Sequence, residues 1–233
     1  MIVYYATNAQ ASSIWKELQS KRTSNSNPMN FLGCPAVRDG WHNTYAFTLK
    51  EKRQVLYKRS GAIDLQQKPI SSEREPHLEQ TNIFNLQMPH YFFSEVPLKI
   101  KVTAPHFHKV SYLEHGTFIG GVFDIGQWFR PVESEIITWA EEGEITFKKD
   151  EPLFYSQFLT DLPVRLKRFT MNPMIEHLAN GLINSPLQNK ENLQGSLQSR
   201  YDAFNKSDFR LGLINEIKEA LVPEEANPDK EFI

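Results

Sequence analysis

Pro97-Leu98-Lys99-Ile100-Lys101-Val102 decides the fold class. Apolar and charged residues alternate strictly there, the period of a strand with one face on a core and the other in water. Leu98, Ile100 and Val102 belong to the buried face. Working outward, Thr44 to Leu49 and Gln54 to Tyr57 are expected to be strands around the charged turn Lys50-Glu51-Lys52. Thr117 to Phe123, Glu135 to Trp139, Glu144 to Phe147, Leu153 to Phe158 and Val164 to Phe169 supply more. Short strands at this spacing, without a βαβ rhythm, predict a mainly β (α+β) fold with an antiparallel β-sandwich or jelly-roll-like core.

Both ends depart from that pattern. Met1 to Tyr5 predicts a short apolar strand, and Ser12 and Ser13 offer N-caps for a helix through about Arg22 with Ile14, Trp15 and Leu18 on one face. Gln66 to Gln80 carries prolines and charges and is expected to be an exposed excursion. After Asn172-Pro173 the period becomes helical. Met174, Ile175, Leu178, Ala179, Leu182 and Ile183 form one stripe. Leu193, Leu197, Tyr201 and Phe204 suggest a second helix, and Phe209, Leu213, Ile214, Ile217 and Leu221 a third. The predicted organisation is a β-rich core domain over 1–172 with an N-terminal strand and helix, a helical C-terminal extension over 173–223, and a frayed acidic tail over 224–233.

Composition narrows the function classes. The 233 residues are 40% hydrophobic and 12% aromatic, ample for a packed core, and the net charge is −2. A near-neutral chain has no global attraction to nucleic acid or to an anionic membrane. The single cysteine, Cys34, excludes an internal disulfide, fits a reducing compartment and is expected to be a buried thiol. No apolar run approaches the roughly 20 residues of a membrane span, and Met1 to Tyr5 lacks the basic start of a signal peptide. A cytoplasmic location is expected.

One cluster of potential metal ligands stands out, His106 and His108 followed by Glu114. A strand continuing unbroken from Leu98 would give both histidines the parity of Ile100 and Val102, although Pro105 disturbs that register. Two imidazoles and a carboxylate suit a divalent iron, zinc, nickel or manganese ion. The stretch resembles the first metal motif of the cupin family, a group of β-barrel proteins. Here five residues separate His108 from Glu114, and five more separate Glu114 from Gly120, one off in each gap. The third histidine ligand of the second cupin motif has no counterpart. The resemblance implies a metal-dependent oxygenase or isomerase of a small molecule that uses His106, His108 and Glu114. The competing expectation is a pair of partly buried histidines bonded to neighbouring backbone.

Other candidates carry less chemistry. Asp124 closes a Gly-Val-x-Asp segment similar to that of trimeric dUTPases, without their remaining motifs, and is expected to cap a turn. Arg165, Lys167 and Arg168 beside Phe169, and Lys50, Lys52, Arg53, Lys58 and Arg59 beside Tyr57, form mixtures that can hold single-stranded nucleic acid. The near-neutral charge argues instead for solvated strand faces. Trp128, Phe129, Arg130 and Trp139 are either interface anchors or core.

Two longer blocks look familiar together, Phe31-Leu32-Gly33-Cys34-Pro35-Ala36-Val37-Arg38 and the run from Gly126-Gln127-Trp128-Phe129-Arg130-Pro131 to Asp150-Glu151-Pro152-Leu153-Phe154-Tyr155. They resemble uncharacterised proteins of tailed phages of marine cyanobacteria. That resemblance implies a viral protein made in a bacterial cytoplasm, and no particular reaction. Two functions are therefore expected. The first is a non-catalytic phage accessory or assembly protein that binds a protein partner, itself or another. The alternative is the cupin-like metalloenzyme.

Overall fold

The computed structural model describes residues 1–14, 16–17, 34–35, 40–58, 61–68, 70–73, 82–129, 131–184, 202, 204–205, 208–231 and 233. In chain order the strands are β1 (Ile2–Ala6), β2 (Gln10–Ser13), β3 (Thr44–Thr48), β4 (Arg53–Lys58), β5 (Gly61–Asp64), β6 (Ser71–Glu73), β7 (Ile83–Asn85) and β8 (His90–Phe93). Then come β9 (Lys99–Thr103), β10 (Gly116–Phe118), β11 (Gly121–Asp124), β12 (Pro131–Val132), β13 (Glu135–Thr138), β14 (Gly143–Phe147), β15 (Pro152–Phe158) and β16 (Arg165–Arg168). Two helices follow, α1 (Pro173–Asn184) and α2 (Asp208–Glu219).

The protein is mainly β. Its strands form the sheets β12-β8-β1-β16, β10-β13-β7-β6, β11-β9-β15-β3-β2 and β14-β4-β5. The β1–β16 pair is parallel, and the other strand pairs among the described residues are antiparallel.

Alternation in β9 is read out directly. Leu98, Ile100 and Val102 are buried, whereas Lys99 and Lys101 are exposed. They share one apolar core with Val3 and Tyr5 of β1, Phe92 of β8 and Phe47, Phe154 and Phe158 of β3 and β15. Rings from different sheets meet there, Phe47 with Phe92 at 5.3 Å and Phe92 with Phe158 at 6.1 Å between centroids. Each fully buried phenylalanine contributes roughly 2–3 kcal/mol.

The opposite face of β1 explains why its sequence is apolar without alternation. Tyr4 and Ala6, with Phe93, Phe129 and Phe169, pack against Ile175 and Ala179 of α1 and Leu213, Ile214 and Ile217 of α2. A strand covered on both faces has no wet side to show. Glu95 fixes the helical layer in place, accepting from Tyr4 Oη at 2.6 Å and from Lys218 Nζ at 3.0 Å.

Several expectations need correction. The strand expected over Thr117 to Phe123 is two strands, because the chain leaves β13 after Phe118 and joins β9 at Gly121. Gly120 occupies the crossing, where any Cβ would overlap the Val102 carbonyl oxygen. Ser12 and Ser13 lie in β2, though Ser13 Oγ accepts from the Lys16 amide at 3.3 Å as the chain turns helical at Ile14. The rest of that helix lies outside the described residues, as does most of the second C-terminal helix. Ser71–Glu73 of the expected excursion pairs with β7 as β6, and residues 74–80 lie outside the described residues. Cys34 is exposed rather than buried. In α2, Leu213, Ile214 and Ile217 are buried as predicted, but Phe209 is exposed.

Residues 224–231 of the acidic C-terminal segment pack onto the fold. Glu224–Ala226 forms a 3₁₀ turn, and Asn227 and Asp229 are buried. Asp229 Oδ2 accepts from Tyr5 Oη at 2.7 Å and from Arg168 Nη1 at 2.6 Å. Ion pairing to the end of β16 outweighs the solvation that its charge composition suggested.

Candidate functional site

Pro105 ends the parity on which the metal expectation rests. β9 stops at Thr103, and the chain turns, with the His106 amide bonded to the Ala104 carbonyl at 2.9 Å and the His108 amide to the Pro105 carbonyl at 3.1 Å. Both histidines therefore leave the strand. Their rings flank the buried Tyr155, with centroids 5.5 Å and 5.7 Å from its ring. His106 stacks on Trp41 at 5.3 Å, and its Nδ1 lies 3.0 Å from the Ala104 carbonyl.

His108 has partners at both nitrogens. Nε2 stands 3.0 and 3.1 Å from the two Glu17 carboxylate oxygens, and Nδ1 meets Tyr155 Oη. An ionised carboxylate only accepts, so Nε2 carries the proton in this contact. Burial raises the Tyr155 pKa and the Glu17 charge raises it further, against backbone hydrogen bonds from Phe107 and His108. The phenol therefore stays protonated. Tyr155 is 1% exposed, so one end of this chain is enclosed, whereas His108 and Glu17 at the other end are partly exposed. Glu114 ends the 3₁₀ turn Ser111–Glu114 and is exposed. Among the described residues, no three His, Cys, Asp or Glu side chains are grouped to hold one metal ion.

Asp124 caps its turn, its Oδ1 accepting from the Gly126 and Gln127 amides at 3.1 and 3.2 Å. Phe129 is core, whereas Trp139 is 56% exposed and donates to the Leu113 carbonyl. Of the first basic set, Arg53 is buried rather than solvated, donating to Asp64 Oδ2 from Nε and to the Leu86 carbonyl from Nη1, both at 2.6 Å.

A buried histidine escaped the sequence reading. His90 is fully enclosed, its Nδ1 lying 2.5 Å from Thr7 Oγ1 and its Nε2 3.0 Å from Ser134 Oγ. Ser134 donates to the Met88 carbonyl and Thr7 Oγ1 accepts from the Ala9 amide, so the hydroxyl protons assign the tautomer. Ser134 must accept from Nε2–H, and Thr7 must donate to Nδ1. Burial holds this imidazole neutral, with its pKa lowered to about 3. Its alternation partners in the short β8 segment gave too little pattern to reveal it.

The second basic set lines a groove of about 600 Å³ between β16 and the C-terminal segment. Lys16, Arg165, Lys167, Arg168 and Lys230 line it with a single acidic side chain, Glu224. Arg165 is bonded to Glu224 at 2.7 Å and Arg168 to Asp229, whereas Lys167 has no partner among the described residues. Tyr45, Val164, Leu166 and Leu221 give the lining its apolar part. The sequence pointed to Arg165 and Lys167 but not to a cavity, because its other wall comes from residues far along the chain.

No protein family matches this chain, and no curated protein does.

Proposed function

We propose that this chain is a non-catalytic accessory or assembly protein of the tailed-phage type, acting by binding a protein partner in the cytoplasm of an infected bacterium. We read its core as a largely antiparallel sandwich of the jelly-roll type, a reading supported by Phe47, Phe92 and Phe158 sharing one core between β12-β8-β1-β16 and β11-β9-β15-β3-β2. Such a body offers its sheet edges for recognition.

The groove along β16 carries this reading. Its cations outnumber its carboxylates on a chain of net charge −2. A local charge excess against the global sign selects and steers an acidic surface. The lining carries no assembled nucleophile among the described residues, since Ser13 Oγ is held by the Lys16 amide rather than by His42.

The test compares wild type with the doubly reversed K16E/K167E variant, each immobilised in nuclease-treated extract of infected cells. A protein retained by wild type is then purified and its affinity for both forms measured. The reading predicts at least a tenfold weaker Kd for the variant. Equal affinity for both forms would contradict it.

A further inference from the structure

We propose that the groove takes its partner as an extended acidic segment, added to β16 as a further strand at Leu166; this rests on the protein-binding reading above. The register pairs Val3 with Leu166, and the Arg165 and Phe169 amides donate to the Met1 and Tyr5 carbonyls. In a parallel ladder, alternate residues bond the neighbouring strand. Arg165, Lys167 and Phe169 thus turn their backbone groups to β1, and Leu166 and Arg168 turn theirs outward.

That outer edge is already used at one end. The Val222 amide donates to the Arg168 carbonyl and the Thr170 amide to the Ala220 carbonyl, both at 2.9 Å, around an antiparallel bridge between Phe169 and Leu221. Pro223 then stops the pairing, since it has no amide proton and leads into the 3₁₀ turn at Glu224–Ala226. The added strand ends one step short of Leu166. Leu166 lies on the outer edge strand of its sheet and lines the groove, so its outward N–H and C=O face that space. Edge groups of this kind are a ready template for a further strand. An incoming strand supplies both bonds and continues the line that residues 220–222 begin.

Charge and shape specify the segment. Arg165 and Lys167 flank Leu166 on one face of the strand, and Lys16 and Lys230 also line the groove. Opposite charges on facing strands attract, and side chains of an added strand alternate between faces. The segment therefore alternates acidic with apolar residues, the latter meeting Val164. Single-stranded nucleic acid fits less well. It brings no backbone ladder and needs ring faces to stack on, and the Tyr45 ring is 7% exposed with its hydroxyl bonded to the Val164 carbonyl.

The test is NMR titration of the ¹⁵N-labelled full chain with acetyl-Glu-Val-Glu-Val-Glu-Val-amide, its glutamine counterpart, an alternately N-methylated version and oligothymidylate. The inference predicts saturable binding of the acidic peptide, intermolecular NOEs to the Leu166 amide, and at least fivefold weaker binding by K167E. K167Q, which adds no repulsive charge, should weaken it less. The N-methylated peptide should fail to bind. Equal binding of the glutamine peptide would overturn the acidic class while leaving protein binding intact. Equal binding of the N-methylated peptide would overturn strand addition. Binding of oligothymidylate alone would overturn both the inference and the reading beneath it. Shifts at Leu166 on adding unlabelled protein would assign the edge to a second copy and also overturn the inference. If nothing binds, the inference fails, and the K16E/K167E comparison with the purified partner decides the broader reading separately.

Discussion

Arg168 Nη1 stands 2.6 Å from Asp229 Oδ2, and the Asp229 side chain is wholly shielded from solvent. Through this pair the last strand holds the segment that forms one wall of the groove. Tyr5 Oη shares the same carboxylate oxygen at 2.7 Å, and Arg168 also donates to the Thr7 carbonyl. The ends of the chain are thus joined at the edge that the proposed partner occupies.

Asp229→Asn leaves the Arg168 guanidinium without its counter-charge in a site where its side chain is 12% exposed. Breaking a buried pair from one side typically costs about 3 kcal/mol. Urea unfolding monitored by fluorescence should show a loss of that order. A loss below about 1 kcal/mol would mean that apolar contacts, not the ion pair, hold the C-terminal segment.

His90 makes stability depend on acid. Its pKa is about 3 when folded, against an ordinary value of 6.5. Below pH 6.5 the unfolded chain takes up a proton that the folded chain refuses, so this contribution is complete above pH 6.5 and declines until the pH reaches the folded pKa. The slope is roughly 1.4 kcal/mol per pH unit, or about 2 kcal/mol between pH 6.5 and 5. Unfolding free energies of wild type and His90→Gln across that interval measure it, and the difference between them should shrink as the pH falls. Parallel pH profiles would remove His90 from the account.

The β core was legible because its signal is local. Leu98, Ile100 and Val102 announce their face by alternation, and short apolar or aromatic runs marked most of β3, β4, β13, β14, β15 and β16. Short strands such as β5 and β7 carry too few residues for a period to emerge. The expected strand parity of the two histidines failed for a related reason. Parity holds only while a strand continues, and the turn at Pro105 carries His106 and His108 away from the core face and onto Tyr155. The groove was hidden because its walls meet only in three dimensions. Arg168 and Asp229 lie 61 positions apart, and neither one's neighbours betray the other.

Gly120 lies where the chain crosses between sheets, with the Val102 carbonyl in the place of a Cβ. Gly120→Ala must push backbone against backbone, which overpacked cores tolerate at a cost of about 1–3 kcal/mol. Thermal unfolding should show a correspondingly lower Tm. An unchanged Tm would mean that the crossing has slack the packing does not indicate.

Tyr155→Phe and His108→Ala should be coupled, since each removes one end of the same hydrogen bond. A double-mutant cycle is expected to give an interaction of about 1 kcal/mol. Because both nitrogens of His108 already have partners, added zinc should not raise the wild-type Tm. Stoichiometric zinc binding that disappears in His106→Ala would restore the metalloprotein alternative.

Photo-crosslinking in infected cells tests whether a protein occupies the groove. A p-benzoylphenylalanine placed at Lys230, on the lining of the groove, reports whatever occupies it. The account predicts one discrete protein adduct, lost when Lys167→Glu is added. Adducts to nucleic acid alone, or a protein adduct of undiminished yield in the Lys167→Glu background, would contradict it.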